Sequence, residues 1–294
     1  MSTVDAHPGS RPRARLSRLA LPVLRTVAVA LIVAGWLLLN MDGGYFRDAL
    51  AYWRPDFDDL YGGRQVGAVS TYLYSPAFAQ VMAVFGVLPW TVFAALWSAA
   101  CLAALVWMAG PILAALLFLV PGSPVADEIS TGNVHLLLAA AIVVALGRHP
   151  AAPGAWSVPL LTKVAPGVGL LWHLGARQWR ALGVAAGVTG AVALASFAIG
   201  PNLWFEWAET LGRSSAVEVP SEIGVIPGPL WARTLAGGLV AVVGGVMGWK
   251  WMAIVAATLA LPVPWSSGLS MLVGIVALVR PSSGALSRLT RVAG

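Results

Sequence analysis

Nine apolar runs separated by polar connections organise the chain, at roughly 19–40, 74–89, 91–121, 134–147, 155–174, 178–200, 229–249, 251–265 and 267–280. Runs of this kind predict bilayer helices, since about 20 apolar residues span a hydrocarbon layer of roughly 30 Å. The first run follows Arg11, Arg13, Arg15 and Arg18 and superficially resembles a signal peptide. It is long enough to span and lacks a clear small-x-small cleavage site before Asp42, so it reads as an uncleaved first span.

Basic residues mark the cytosolic side of a membrane protein. Applied to the 18 Lys and Arg residues, that rule places most of them inside. Arg47, Arg54, Arg64, Arg213 and Arg233 fall outside, and Lys163 falls within an apolar run. The expected layout has cytosolic basic tails at 1–18 and 281–294 and a membrane domain over 19–280. Large external connections are expected at 41–73 and 201–228, with both termini cytosolic.

Arg148 precedes the run 155–174 and Arg177 and Arg180 follow it, so a full crossing would put one set on the wrong side. The run is interrupted at Lys163-Val164-Ala165-Pro166-Gly167, where proline removes a backbone donor and restricts its neighbour. Two half-helices forming a re-entrant hairpin are therefore predicted, with their bare backbone buried in protein or lining a polar cavity. The run 91–121, broken by Gly110-Pro111, is either one long kinked crossing or a second hairpin.

Composition narrows the class. Apolar residues make up 59% and charged residues 10% of the chain, against about a quarter charged in soluble domains. The net charge of +6 does not point to nucleic acid, because the basic residues flank spans and form no groove-sized run beyond the amino-terminal tail. Cys101 is the only cysteine, which excludes a disulfide within the chain and implies no thiolate metal site. His7, His135, His149 and His173 are isolated, and no metal arrangement emerges.

Candidate chemistry lies in the connections. Of 12 acidic residues only Asp5 is expected inside, and Asp42, Asp48, Asp56, Asp58 and Asp59 crowd the first external connection. Asp48, Tyr52 and Trp53 fall within about one and a half helical turns there. A carboxylate cluster beside aromatics above the lipid suits acid–base chemistry on a lipid-linked substrate; the plain alternative is a solvated loop with interfacial aromatics. Lys163 either snorkels to the interface or contacts an anion such as a phosphate. At Gly132-Asn133-Val134-His135, Thr131 or Asn133 is a helix N-cap, or the helix start offers free amides to a ligand. Glu206, Glu209, Glu218 and Glu222 read as solvated in a stretch that Pro220, Pro227 and Pro229 predict to be shaped and non-helical.

The strings DALAYW, YLYSPAFAQVMAVFGVLPW, GNVHLLLAAAIVVAL and LLTKVAPGVGLLWHLGARQWRALG, in this order, resemble glycosyltransferase family 87 over roughly residues 35 to 205. The resemblance implies an all-α polytopic helical bundle of the GT-C type in a bacterial cell membrane. It implies a polyprenyl-phosphate-sugar donor, with mannose as the sugar as in the family's actinobacterial mannosyltransferases, a glycolipid or glycan acceptor, and inverting transfer on the outer face without a cofactor or metal. Carried over by motif, the general base is Asp48, with Asp42 as the competing position. Lys163 would lie near the lipid phosphate, and Tyr72, Tyr74, Asn133 and His135 would line the cavity. The alternatives are a transporter or flippase of a lipid-linked sugar, and a non-catalytic scaffold of the same fold, which the few spans after residue 205 suggest.

Overall fold

The computed structural model describes residues 11–41, 46–62, 72–215 and 224–280, and the described residues form helices and no strand. Asp42 and both basic tails beyond these bounds lie outside the described residues. Helix α1 (Arg11–Met41) contains a 22-residue window, Ala20–Met41, long and apolar enough to cross a membrane. The short helix α2 (Arg47–Trp53) and helix α3 (Pro76–Ala83) then lead to α4 (Trp90–Ala109), a second full-length span.

Gly110 ends α4 at φ 76°, and Pro111 opens α5 (Pro111–Leu119), where its missing N–H needs no partner. Helix α6 (Pro124–Thr131) continues at 79° to α5. The run 91–121 turns back at Gly110-Pro111, since Trp97 and Cys101 in α4 meet the carbonyls of Gly132 and Asn133 just past α6. Its first part spans alone, and its second part begins a bent pair. Helix α7 (His135–Ala145) has 11 residues, too short to cross a layer that needs about 20.

The broken pair predicted at 155–174 is present. A 3₁₀ turn (Ala152–Trp156) and α8 (Ser157–Thr162) rise to Lys163, whose backbone is extended. A second 3₁₀ turn (Ala165–Leu170) and α9 (Leu171–Gly175) return. The two arms lie side by side: the Trp156 and His173 rings are 6.2 Å apart, and a Cβ on Gly169 would come within 2.9 Å of the Trp156 ring. Both feet meet the same neighbours. Lys250 Nζ donates to the Leu146 carbonyl just before the first arm, and Trp172 Nε1 in the second arm donates to the Trp249 carbonyl. Lys163 sits at the tip.

Helix α10 (Trp179–Ile199) is a third full-length span and packs along the first arm. Helix α11 (Pro201–Ser215) corrects the expectation of a non-helical 201–228. Pro201 occupies the start of the helix, where proline is tolerated, and the three prolines that prompted the expectation all follow residue 215. Trp207 Nε1 donates to the Leu73 carbonyl, which seats α11 on the segment before α3.

The fourth full-length span, α12 (Leu230–Met247), meets α9 at backbone contact, since a Cβ on Gly245 would lie 2.1 Å from the Trp172 carbonyl oxygen. Small residues allow such approaches where helices pack in lipid. Helices α13 (Trp251–Leu259) and α14 (Val273–Val279) complete the bundle. The buried Arg233 guanidinium donates to the carbonyls of Gly228, Leu259, Leu261 and Pro262, closing the end of α13.

Candidate functional site

Three breaks in regular structure meet at one end of the bundle: the α2 segment, the turn between α6 and α7, and the tip of the 152–175 hairpin. The α6–α7 turn depends on Gly132. Its φ of 69° is left-handed, and its amide donates to the Ile129 carbonyl while that of Asn133 donates to Glu128. A Cβ at Gly132 would lie 2.6 Å from the Ala49 Cβ and 3.2 Å from the Phe46 ring, so glycine also lets α2 rest on the turn. Trp97 Nε1 fixes the turn from α4 by donating to the Gly132 carbonyl.

This contact brings Asp48 to Asn133, whose Nδ2 donates to Asp48 Oδ2 at 2.6 Å. Asn133 Oδ1 accepts from the Val134 amide at 2.8 Å and from Lys163 Nζ at 3.3 Å. Lys163 Nζ also stands 2.9 Å from His135 Nε2, and His135 Nδ1 stands 2.9 Å from Glu128 Oε2. Glu128 Oε1 accepts from the Leu136 amide at 3.2 Å. Five side chains from three chain segments thus form one bonded series: Asp48, Asn133, Lys163, His135 and Glu128. Glu128 and His135 are fully buried, whereas Asp48 and Lys163 remain half-buried.

The YSP segment holds the hairpin tip from the side. Ser75 caps α3 by accepting from the Phe78 amide at 3.3 Å, and its hydroxyl donates to the Leu161 carbonyl two residues before Lys163. Tyr74 lies under Lys163, with Nζ 5.4 Å from its ring centroid, and its hydroxyl pairs with that of Tyr52 at 2.6 Å. Tyr72 stands one ring further out, 5.3 Å from Tyr74 and 6.0 Å from Tyr61, and its buried hydroxyl has no hydrogen-bond partner among the described residues.

Asp48, Lys163, Asn133 and His135 are therefore brought together, Tyr74 adjoins them, and Tyr72 flanks Tyr74 without joining the bonded series. One expectation for the start of α7 needs correction. Neither Thr131 nor Asn133 is its N-cap: the cap residue is Val134, and the Thr131 hydroxyl instead donates to the Asp127 carbonyl. At the same start, the Val134 and Leu136 amides are held by Asn133 Oδ1 and Glu128 Oε1.

The sequence reading missed Glu128 and Tyr52 as site residues. A signal existed for each. Asp127 and Glu128 are the only acids between residues 60 and 205, and Glu128 lies seven positions before His135 across a glycine turn. Tyr52 lies four positions after Asp48, on the same helical face.

Burial raises the Asp48 carboxyl above its ordinary range, opposed by the Lys163 charge. The Glu128 carboxylate adds to the rise, and His135 and the Asn133 hydrogen bond reduce it. A raised, half-buried carboxyl with one oxygen held by an amide has the form of a general base. Beyond α2, Arg47, Arg54, Asp56, Asp59, Tyr61 and Tyr72 contribute to the wall of a cavity of about 240 Å³. Among the described residues no group of three or more His, Cys, Asp and Glu side chains is placed to hold a metal ion.

The family model described as glycosyltransferase family 87 matches residues 72–281, which takes in every member of the bonded series except Asp48. No curated protein and no solved structure matches the chain.

Proposed function

The chain belongs to glycosyltransferase family 87, and on that premise we propose that this multi-pass membrane glycosyltransferase moves a sugar, mannose in our reading, from a polyprenyl-phosphate donor to a glycolipid or glycan acceptor. Transfer takes place at the outer face of a bacterial cell membrane. The observation that carries the reading is the Asn133 carboxamide, which bonds Asp48 through its nitrogen and Lys163 through its oxygen. A candidate base and a candidate phosphate contact are thereby held on opposite ends of one side chain.

The reaction is a single inverting displacement. Asp48 takes the proton of an acceptor hydroxyl as that oxygen bonds to the anomeric carbon. The bond from that carbon to the phosphate oxygen breaks on the opposite face, and the electron pair leaves with polyprenyl phosphate. Lys163 donates to the departing phosphate, whose existing negative charge makes it a competent leaving group without a metal or cofactor. Asn133 leaves Asp48 Oδ1 for the acceptor, Tyr74 lies beneath the Lys163 head that meets the donor phosphate, and His135 backs that head from within the bundle. The acceptor's other hydroxyls face the arginines, aspartates and tyrosines of the cavity beyond α2.

The test is reconstitution with a polyprenyl-phosphate donor carrying labelled mannose. Appearance of labelled acceptor together with free polyprenyl phosphate supports the reading. Movement of intact donor across the bilayer without cleavage supports a flippase instead.

A further inference from the structure

We infer that Glu128 is a positioning residue that sets the tautomer of His135 and thereby fixes the Lys163 ammonium where it meets the donor phosphate. The inference rests on the proposed role of Lys163. It follows from the proton inventory of the bonded series. An ionised carboxylate only accepts, so Glu128 Oε2, 2.9 Å from His135 Nδ1, places the ring proton on Nδ1. The Nε2 lone pair is then free to accept from Lys163 at 2.9 Å. With the opposite tautomer, an N–H would point at the ammonium.

Lys163 has three N–H groups. One is held by His135 and one by Asn133 Oδ1, which leaves the third for an incoming oxygen. Holding the head at two points also fixes Asn133, whose oxygen faces Lys163 so that its nitrogen faces Asp48. The buried Glu128 touches neither substrate nor Asp48 and acts only through this series. Its second oxygen is committed to the Leu136 amide. Glutamine cannot replace it, because with its one carbonyl oxygen on the Leu136 amide its NH2 group faces His135 Nδ1 and turns the tautomer over.

A double-mutant cycle separates this role from support of the α7 start. Glu128→Gln is expected to raise the donor KM about tenfold or more, with thermal unfolding in detergent showing a folded protein. Glu128→Asp keeps an acceptor-only carboxylate and is expected to stay within about threefold of wild type. In His135→Gln, the carboxamide oxygen accepts from Lys163 with no tautomer to set. In that background Glu128→Gln is expected to change the donor KM by less than about twofold. Equal losses from Glu128→Gln in both backgrounds overturn the inference, as does a Glu128→Asp variant as impaired as Glu128→Gln. A Lys163→Met control divides the two levels. A raised donor KM in Lys163→Met with a wild-type KM in Glu128→Gln removes the positioning role alone, whereas a wild-type KM in Lys163→Met removes the phosphate contact itself.

Discussion

Lys163 and Lys250 are both lysines at breaks between helical segments, yet their partners differ in kind. Lys250 Nζ donates at 2.6 Å to the carbonyl of Leu146, the C-cap residue of α7. Arg280 likewise donates to the Ala109 carbonyl at the end of α4, and Arg233 to the carbonyls of Leu259, Leu261 and Pro262 at the end of α13. These cations satisfy carbonyls that every helix leaves unbonded at its C-terminus, where positive charge is also favoured. Lys163 instead bonds two side chains, His135 and Asn133, each linked to a carboxylate. A cation held by backbone carbonyls closes an element. One held by polar side chains in a half-open site is available to a ligand.

The comparison breaks most sharply at Asp48. Asp48→Asn keeps the size and a hydrogen-bonding oxygen but takes no proton at neutral pH. It is expected to reduce sugar transfer about a hundred- to ten-thousand-fold while leaving donor binding and folding near wild type. Turnover and polyprenyl-phosphate binding measured on the same preparation check it. Wild-type turnover in Asp48→Asn with loss in Asp42→Asn would keep the enzyme class and move the base.

Gly132 is the next point of failure, because it seats α2 on the α6–α7 turn. Gly132→Ala combines a left-handed φ of 69° with a Cβ only 2.6 Å from that of Ala49. The expected outcome is a stability loss of about 1–3 kcal/mol. Transfer should also fall about tenfold or more as Asp48 is displaced from Asn133, since small misplacements at a reacting centre are costly. Thermal unfolding and turnover read the two effects separately. A stable variant with wild-type turnover means that α2 does not need this contact.

Much of this arrangement was legible in the sequence. The Lys163–Gly167 interruption and the arginines flanking it announced the broken pair, because proline chemistry and charge placement act locally. Asp48, Asn133, His135 and Lys163 stood out as polar residues beside apolar runs. Glu128 did not, since its role depends on a turn that folds it back beside a ring seven residues later. Nor did α11, because three prolines suggested irregularity across a connection whose first half contains only one, at a helix start. Local backbone rules show in a sequence; the juxtaposition of three distant segments does not.

A subtler test uses pH. The base acts unprotonated, so kcat/KM falls as pH drops through the Asp48 pKa. Burial raises that pKa and Glu128 raises it further, while Lys163, His135 and the Asn133 hydrogen bond lower it. Removing the Lys163 charge removes a lowering influence. The acid limb of the profile is therefore expected to move to higher pH in Lys163→Met, by about one unit, and to stay close to wild type in Lys163→Arg. A limb that moves to lower pH in Lys163→Met means that the titrating group is not a carboxyl near this lysine.

The smallest effect is expected at Lys250, and it is the one that tests the distinction between the two lysines. Lys250→Met keeps the apolar stem and removes only the charge and its bond to the Leu146 carbonyl. Removing the charge leaves the carbonyl of the buried Leu146 without its Lys250 partner, so a loss of about 1–2 kcal/mol is expected in thermal unfolding. Donor KM and turnover should match wild type, because the bond lies at the C-terminal end of α7 and His135 opens its N-terminal end. Lys163→Met should show the reverse, with small change in unfolding and a clear rise in donor KM. If Lys250→Met impairs donor use as strongly as Lys163→Met, the partner of a buried cation does not separate structure from function in this bundle, and the phosphate contact at Lys163 loses its support.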